Sequence, residues 1–209
     1  MCYLVPMNYA ILCEEILRKE KEAGRKPRIL LQACCAPCSS VVLERLSETC
    51  DLTLYYYNPN TMPREEYEKR LEQFEKLRRF PFTLMEGTWD NALFREKVRG
   101  MEKEPEGGAR CAVCIRLRLE ETGRLAAEKG FDYFGTTLTV GPRKDPVLVN
   151  GVGEAVSRAC GVPWFYADFK KKDGFRRSVA LCRELGIYRQ DYCGCRLGAE
   201  PEREGKETC

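Results

Sequence analysis

The stretch Arg28-Ile29-Leu30-Leu31-Gln32-Ala33-Cys34-Cys35-Ala36-Pro37-Cys38-Ser39-Ser40 changes character at its midpoint. Its first half is a short apolar run of strand length. Its second half sets Pro37 near the start of a helix that continues through Val41, Val42, Leu43 and Leu46. A buried strand therefore feeds a helix, and Cys34, Cys35 and Cys38 sit on the turn between them.

The same alternation extends outward. Residues 8–23 read as an amphipathic helix with Leu12, Ile16 and Leu17 on its apolar face and Gly24 as a stop. Leu52–Tyr57 is a second strand, ended by Asn58-Pro59-Asn60. A charged helix over 64–79 carries Tyr67, Leu71, Phe74 and Leu77 on one side, and Phe82–Met85 is a third strand. Trp89, Leu93, Phe94 and Val98 suggest a short helix. The loop Glu104-Pro105-Glu106-Gly107-Gly108 then delivers Arg110-Cys111 to a helix over Ala112–Lys129. Phe131–Leu138 is a fourth strand, 147–160 a helix despite Gly151 and Gly153, Trp164–Tyr166 a fifth strand and 174–185 a last helix. Strands alternating with helices predict a parallel sheet covered on both faces, and such sheets collect ligands at the carboxyl ends of their strands. The expected organisation is one α/β domain over 1–197 and a charged, disordered tail over 198–209.

The chain has 209 residues, thirteen cysteines and no histidine. The missing imidazole excludes a Ser-His-Asp triad, a Cys-His pair, a Rieske centre and a mixed Cys/His zinc site. No apolar run is long enough for a bilayer span, and Met1–Pro6 lacks the basic start of a signal peptide. A reducing cytoplasm is therefore expected, where thiols stay free or hold metal. The net charge of +3 points to no partner by itself. Lys170, Lys171, Lys172, Arg176 and Arg177, with Phe169 and Phe175 among them, suit RNA contact; by themselves they read first as a solvated helix end.

Seven cysteines form three groups. Cys111-x-x-Cys114 opens a helix, a spacing shared by metal sites and redox dithiols. The adjacent Cys34 and Cys35 make a poor structural bridge, but can give two ligands to a multi-iron centre. Together the pairs offer four thiolates, the ligand set of a [4Fe–4S] cluster; a structural zinc site is the competitor. Cys38 is a spare ligand, a ligand to a second metal, or a buried thiol. Cys193-Gly194-Cys195 fits a strained, easily reduced disulfide, with two further metal ligands as the alternative. Cys2, Cys13, Cys50, Cys160, Cys182 and Cys209 have no telling spacing and read as core or tail residues.

These motifs, in this order, resemble the cobalamin-independent epoxyqueuosine reductases. The resemblance runs from about residue 28 to 196 through Leu30–Ser39, Tyr57-Asn58-Pro59-Asn60 with Glu66-Tyr67 and Arg70, and Glu104–Cys114. It continues through Gly130-Phe131-Asp132, Thr136-Thr137-Leu138, Phe169-Lys170-Lys171 and Tyr188–Cys195. It implies a Rossmann-like fold related to the PP-loop enzymes, and reduction of epoxyqueuosine to queuosine at the tRNA wobble position. It also implies a [4Fe–4S] cluster on Cys34, Cys35, Cys111 and Cys114, and a redox-active disulfide between Cys193 and Cys195. A single iron or zinc ion beside the cluster is implied as well, with Cys38 its candidate ligand. Partners are then tRNA and an electron donor, and Lys170, Lys171, Arg176 and Arg177 become the candidate RNA contacts. The cysteine turn replaces the glycine-rich phosphate loop of PP-loop relatives, so ATP binding is not expected. Gly141-Pro142 stands where the family usually has Ser-Pro, so any role of that serine has no counterpart here. With no imidazole, Asp168, Asp191 and Tyr192 are positional candidates for proton donor. A PP-loop-type ATP-dependent tRNA-modifying enzyme and a zinc-stabilised RNA-binding module are the alternatives.

Overall fold

Successive side chains of a strand point to opposite faces, and the central strand shows what each face meets. The structure, a computed structural model, describes residues 7–197, so the expected tail over 198–209 lies outside the described residues. In β1 (Arg28–Gln32), Ile29 and Leu31, followed by Ala33, join one core with Val41, Leu43, Leu54, Phe74 and Leu181. Leu30 joins the other with Leu119, Phe134, Val149 and Trp164. β2 (Asp51–Tyr56) divides likewise, sending Leu52, Leu54 and Tyr56 to the first core and Tyr55 to the second.

The sheet is parallel, in the order β3-β2-β1-β4, with β3 spanning Thr83–Glu86 and β4 Tyr133–Thr136. α2 (Ala36–Leu46) and α7 (Gly174–Glu184) pack together over one face. α5 (Ala109–Glu128) and α6 (Pro146–Cys160) pack over the other. Both faces of a parallel sheet are thus covered, as a Rossmann-like fold requires. α1 (Tyr9–Glu22) precedes β1, α3 (Arg64–Glu72) follows β2, and α4 (Asn91–Lys97) follows β3. The chain leaves β1 toward β2 on one side and reaches β4 on the other, which opens a crevice at the carboxyl end of β1.

Two expected elements differ. Trp164–Tyr166 forms no fifth strand; a single bridge pairs Trp164 with Phe134. Pro163 has no N–H to donate, and Asn150 Oδ1 takes both the Trp164 indole N–H and the Ala167 N–H, turning the chain off the sheet edge. The helix expected over 64–79 is α-helical only to Glu72 and then winds as a 3₁₀ turn over Gln73–Leu77. That tighter winding aligns residues three apart, and it buries both Phe74 and Leu77. In α6, Gly153 is where the Trp164 ring lies against the backbone: a Cβ there would sit 2.3 Å from it.

Candidate metal and redox centre

The first thiol group is built by the β1–α2 turn. Cys35 is the extended residue just before α2, so its thiol stands at a helix N-terminus, where partial positive charge favours thiolate. The Cys34 and Cys35 sulfurs are 3.7 Å apart, and those of Cys34, Cys35 and Cys38 all lie within 4.8 Å of one another. This trio can hold a metal ion. Hydrogen bonds from Cys34 and Cys38 hold the Cys35 thiol well below its ordinary value. The same contact with Cys35 pushes Cys34 up to about 12, and hydrogen bonding to Cys34 and Cys35 raises Cys38 well above the usual range. Thr137, from the end of β4, fixes the turn by accepting the Cys34 N–H at 3.3 Å.

The second group rides on α5. Cys111 and Cys114 are three apart in its first turns and so share a face. The Gly107 N–H donates to Cys111 Sγ at 3.2 Å. One turn on, Arg118 is buried; its Nε donates to the Cys114 carbonyl at 3.2 Å and its NH1 to Asn58 Oδ1 at 3.4 Å. Asn58 Nδ2 in turn donates to the Ala33 carbonyl at 2.8 Å, next to Cys34. One chain of hydrogen bonds therefore ties the α5 pair to the β1 turn.

The third group is clamped by the loop after β2. Met62 N–H donates to the Gly194 carbonyl at 2.8 Å, and a Cβ at Gly194 would lie 2.9 Å from Thr61 Oγ1 and 3.0 Å from Arg70 NH1. Only glycine leaves these contacts undisturbed. Cys193 and Cys195 are free thiols with sulfurs 3.6 Å apart, and Cys195 packs with Cys114, Phe94 and Val98. The Cys195 hydrogen bond, helped by the Lys144 charge, lowers Cys193 to about 5, while that same bond raises Cys195.

All seven thiols line one cavity of about 340 Å³ at the carboxyl edge of the sheet. Its walls are cationic. Arg110 is buried and, among the described residues, bonds only carbonyls, those of Met101, Glu102 and Leu197. Burial works against the charge of Arg118, yet Cys114, Cys34, Cys193 and Cys111 more than offset it and hold the guanidinium above its ordinary value. Lys144, paired with Glu106 at 2.8 Å, is likewise opposed by burial and raised by Cys193 and Cys111. Arg70 and Glu66 form a buried ion pair at 2.6 Å. Among the described residues, five buried side-chain polar atoms lack a partner. Asn60 Oδ1, Arg70 NH2, Arg110 Nε and Gln190 Oε1 belong to residues that line this cavity. Unpartnered polar atoms are rare in folded interiors, and their gathering here marks a site.

The other sequence candidates divide. Asp191 and Tyr192 line the cysteine cavity; Asp168 lines a second cavity with Lys171, behind α1 and α2. The Lys170 ammonium bonds the Lys144 carbonyl, Arg177 pairs with Glu44 and Glu184, and Arg176 points outward beside Asp173. Arg118, Arg110 and Asn58 escaped notice as site residues. Arg118 carried one signal, its position four residues after Cys114 on the same helix face.

A Rossmann-like sheet with a thiol-lined cavity at its carboxyl edge defines a class of metal or redox proteins. A family model described as "Epoxyqueuosine reductase QueH" matches residues 29–200. A protein of that name from Streptococcus pyogenes serotype M1 is 38% identical over 93% of this chain and 79% of its own length. Namesakes from Staphylococcus epidermidis and Thermotoga maritima are 36% and 34% identical, over 92% and 84% of this chain and 85% and 92% of their own. The chain belongs to the QueH family. Among its described residues, no helix is long and apolar enough to cross a membrane.

Proposed function

We propose that this chain is an epoxyqueuosine reductase of the cobalamin-independent iron–sulfur type, which converts epoxyqueuosine at the tRNA wobble position to queuosine and water. The observation that carries this reading is the meeting of thiols from three distant stretches around one cavity. Cys34, Cys35, Cys111 and Cys114 would hold a [4Fe–4S] cluster, and Cys38 a neighbouring iron or zinc ion. The donor set fits: a thiolate-bound cluster is anionic, and Arg110 and Arg118 are buried cations with no carboxylate partner among the described residues. A buried, unpaired charge is unfavourable by several kcal/mol (roughly) unless something compensates it. Such groups, when bound, supply one-electron transfer and Lewis acidity.

Removing the epoxide oxygen as water takes two electrons and two protons. Oxidation of the Cys193 thiolate and the Cys195 thiol to a disulfide releases two electrons and one proton, so the pair is suited to reduce the site and to be recharged by an electron donor, while the second proton comes from another group. Tyr192 and Asp191 are the candidate proton donors that line the cavity. Of the candidate RNA contacts Lys170, Lys171, Arg176 and Arg177, the two carboxylates on Arg177 cancel its charge, which leaves the other three to offer positive charge on the segment that contains the cavity-lining Phe175. A tRNA substrate and free thiols together favour a cytoplasmic setting.

The test uses anaerobically purified protein and tRNA carrying epoxyqueuosine, with dithionite as reductant. Expected are conversion to queuosine without ATP, sulfide at about four per chain, and about four irons with one further iron or zinc. Cys193→Ser should retain iron and abolish turnover. One zinc without sulfide, or a requirement for ATP, overturns the proposal in favour of the zinc module or the PP-loop enzyme.

A further inference from the structure

The cavity's rim carries groups that the thiol chemistry does not use. Phe175, in the first turn of α7, and Arg189 both line it. The Arg189 guanidinium carbon lies 5.1 Å from the centre of the Phe175 ring. Arg189 is exposed and forms no ion pair among the described residues, unlike Arg177, which meets two carboxylates. Phe175 is half-buried, so part of its ring stays open to a ligand. Arg143 also belongs to the rim, 64% exposed at its side chain, and shares the single carboxylate of Glu106 with Lys144. That leaves one surplus positive charge beside Pro142, which is exposed too.

An aromatic ring next to an unneutralised guanidinium is the surface on which unstacked bases settle, because both present flat faces. A lone surplus cation nearby suits a phosphate. We propose that Phe175 and Arg189 form a stacking platform for a base flanking the modified nucleotide, and that Arg143 takes a phosphate of the same loop. The partner is then a single-stranded RNA loop held at the lip of the cavity, with one nucleotide presented to the thiols. This inference rests on the tRNA reading above and adds the residues that read the loop.

The test measures binding of a fluorescently labelled anticodon stem–loop by anisotropy, and its turnover when it carries epoxyqueuosine. Phe175→Ala and Arg189→Ala should each weaken binding and raise KM by about tenfold, the effect of losing one stacked base. Phe175→Trp should restore both, and iron content should match the parent protein. Arg143→Ala should lower the slope of log affinity against log salt by about one. Unchanged affinity in Phe175→Ala and Arg189→Ala, with the parent binding the loop, overturns the platform alone. A parent that neither binds the loop nor reduces epoxyqueuosine overturns the tRNA reading itself. Equal losses of kcat with no change in binding would assign these residues to the chemistry instead.

Discussion

Two cavities of similar volume, about 340 and 400 Å³, both contain cysteine, cations and an unpartnered polar atom, yet they are built for different ends. In the first, Arg110, Arg118 and Lys144 surround the thiols; Cys35 and Cys193 are held down, while Cys34, Cys38 and Cys114 beside them are raised. In the second, between α1, the end of α2 and the loop before α7, Cys13 stands among Leu17, Leu46 and Phe169, with the charged Glu14, Arg45, Asp168, Lys171 and Lys172 also on the walls. There burial, with Cys50 adding to it, pushes the Cys13 thiol up to about 12 against the weaker pull of Arg45 and Lys172. A buried cysteine is chemically poised where neighbouring thiols share their protons and nearby charge favours a thiolate among them. Burial alone makes it a small core residue.

The contrast is most sharply broken by exchanging one sulfur for oxygen in each cavity. Cys114→Ser should lose iron and lower turnover by at least about a hundredfold, whereas Cys13→Ser should keep both within about twofold. Iron and sulfide analysis after anaerobic purification decides this, and iron retention in Cys114→Ser removes that residue from the ligand set. Next in size is Arg118→Met, which deletes the buried cation and cuts the link from Cys114 to Asn58 and Ala33. Metal affinity should fall about tenfold to a hundredfold, and the reduction potential of the bound centre should become more negative. Chelator competition and spectroelectrochemistry read these out; Arg118→Lys should recover part of the potential, because it returns the charge.

A pH series sharpens the comparison further. Cys193 is lowered to about 5 by its hydrogen bond from Cys195 and by Lys144, so its thiolate fraction rises through that pH and is nearly complete at neutrality. Iodoacetamide should therefore label Cys193 at pH 6 faster than an ordinary thiol of pKa about 8.5, and its rate should level off by neutrality where that of the ordinary thiol still climbs. Cys13 should stay unlabelled until the protein unfolds. Mass spectrometry of peptides from metal-free, reduced protein measures both, and equal labelling of the two would erase the distinction.

The smallest effect belongs to Asp168, which burial raises above the usual carboxylate range and whose Oδ1 has no partner among the described residues. Below the ordinary carboxylate value, native and unfolded chains both hold the proton. Between that value and the raised native one, only the native chain keeps it, so stability falls as pH rises. Asp168→Asn removes this loss. Its melting midpoint should exceed the parent's by a few degrees at neutral pH, with the gap closing in acid.

Much of the architecture could be read locally. The β1 run, Pro37 in α2 and the helix after Cys111 depend on residues a few positions apart, and the structure keeps them, although α5 begins at Ala109, three residues before the expected Ala112. The misread fifth strand shows the limit: Trp164–Tyr166 has strand-like residues, but Asn150, on a different element, takes the Ala167 N–H that would have continued the ladder and anchors the Trp164 indole. The site's electrostatics were equally hidden. Arg118 meets its Asn58 partner 60 residues away, and Arg110 meets the Leu197 carbonyl 87 residues away. No spacing rule reaches that far.

Sequence by itself determined that strands and helices alternate, and that chemistry here rests on sulfur, since periodicity is local and the chain has no histidine. Only the tertiary structure decided which sulfurs share a cavity and which remain packing. Charge and burial act across space, so a thiol's state depends on groups brought to it by folding from distant parts of the chain.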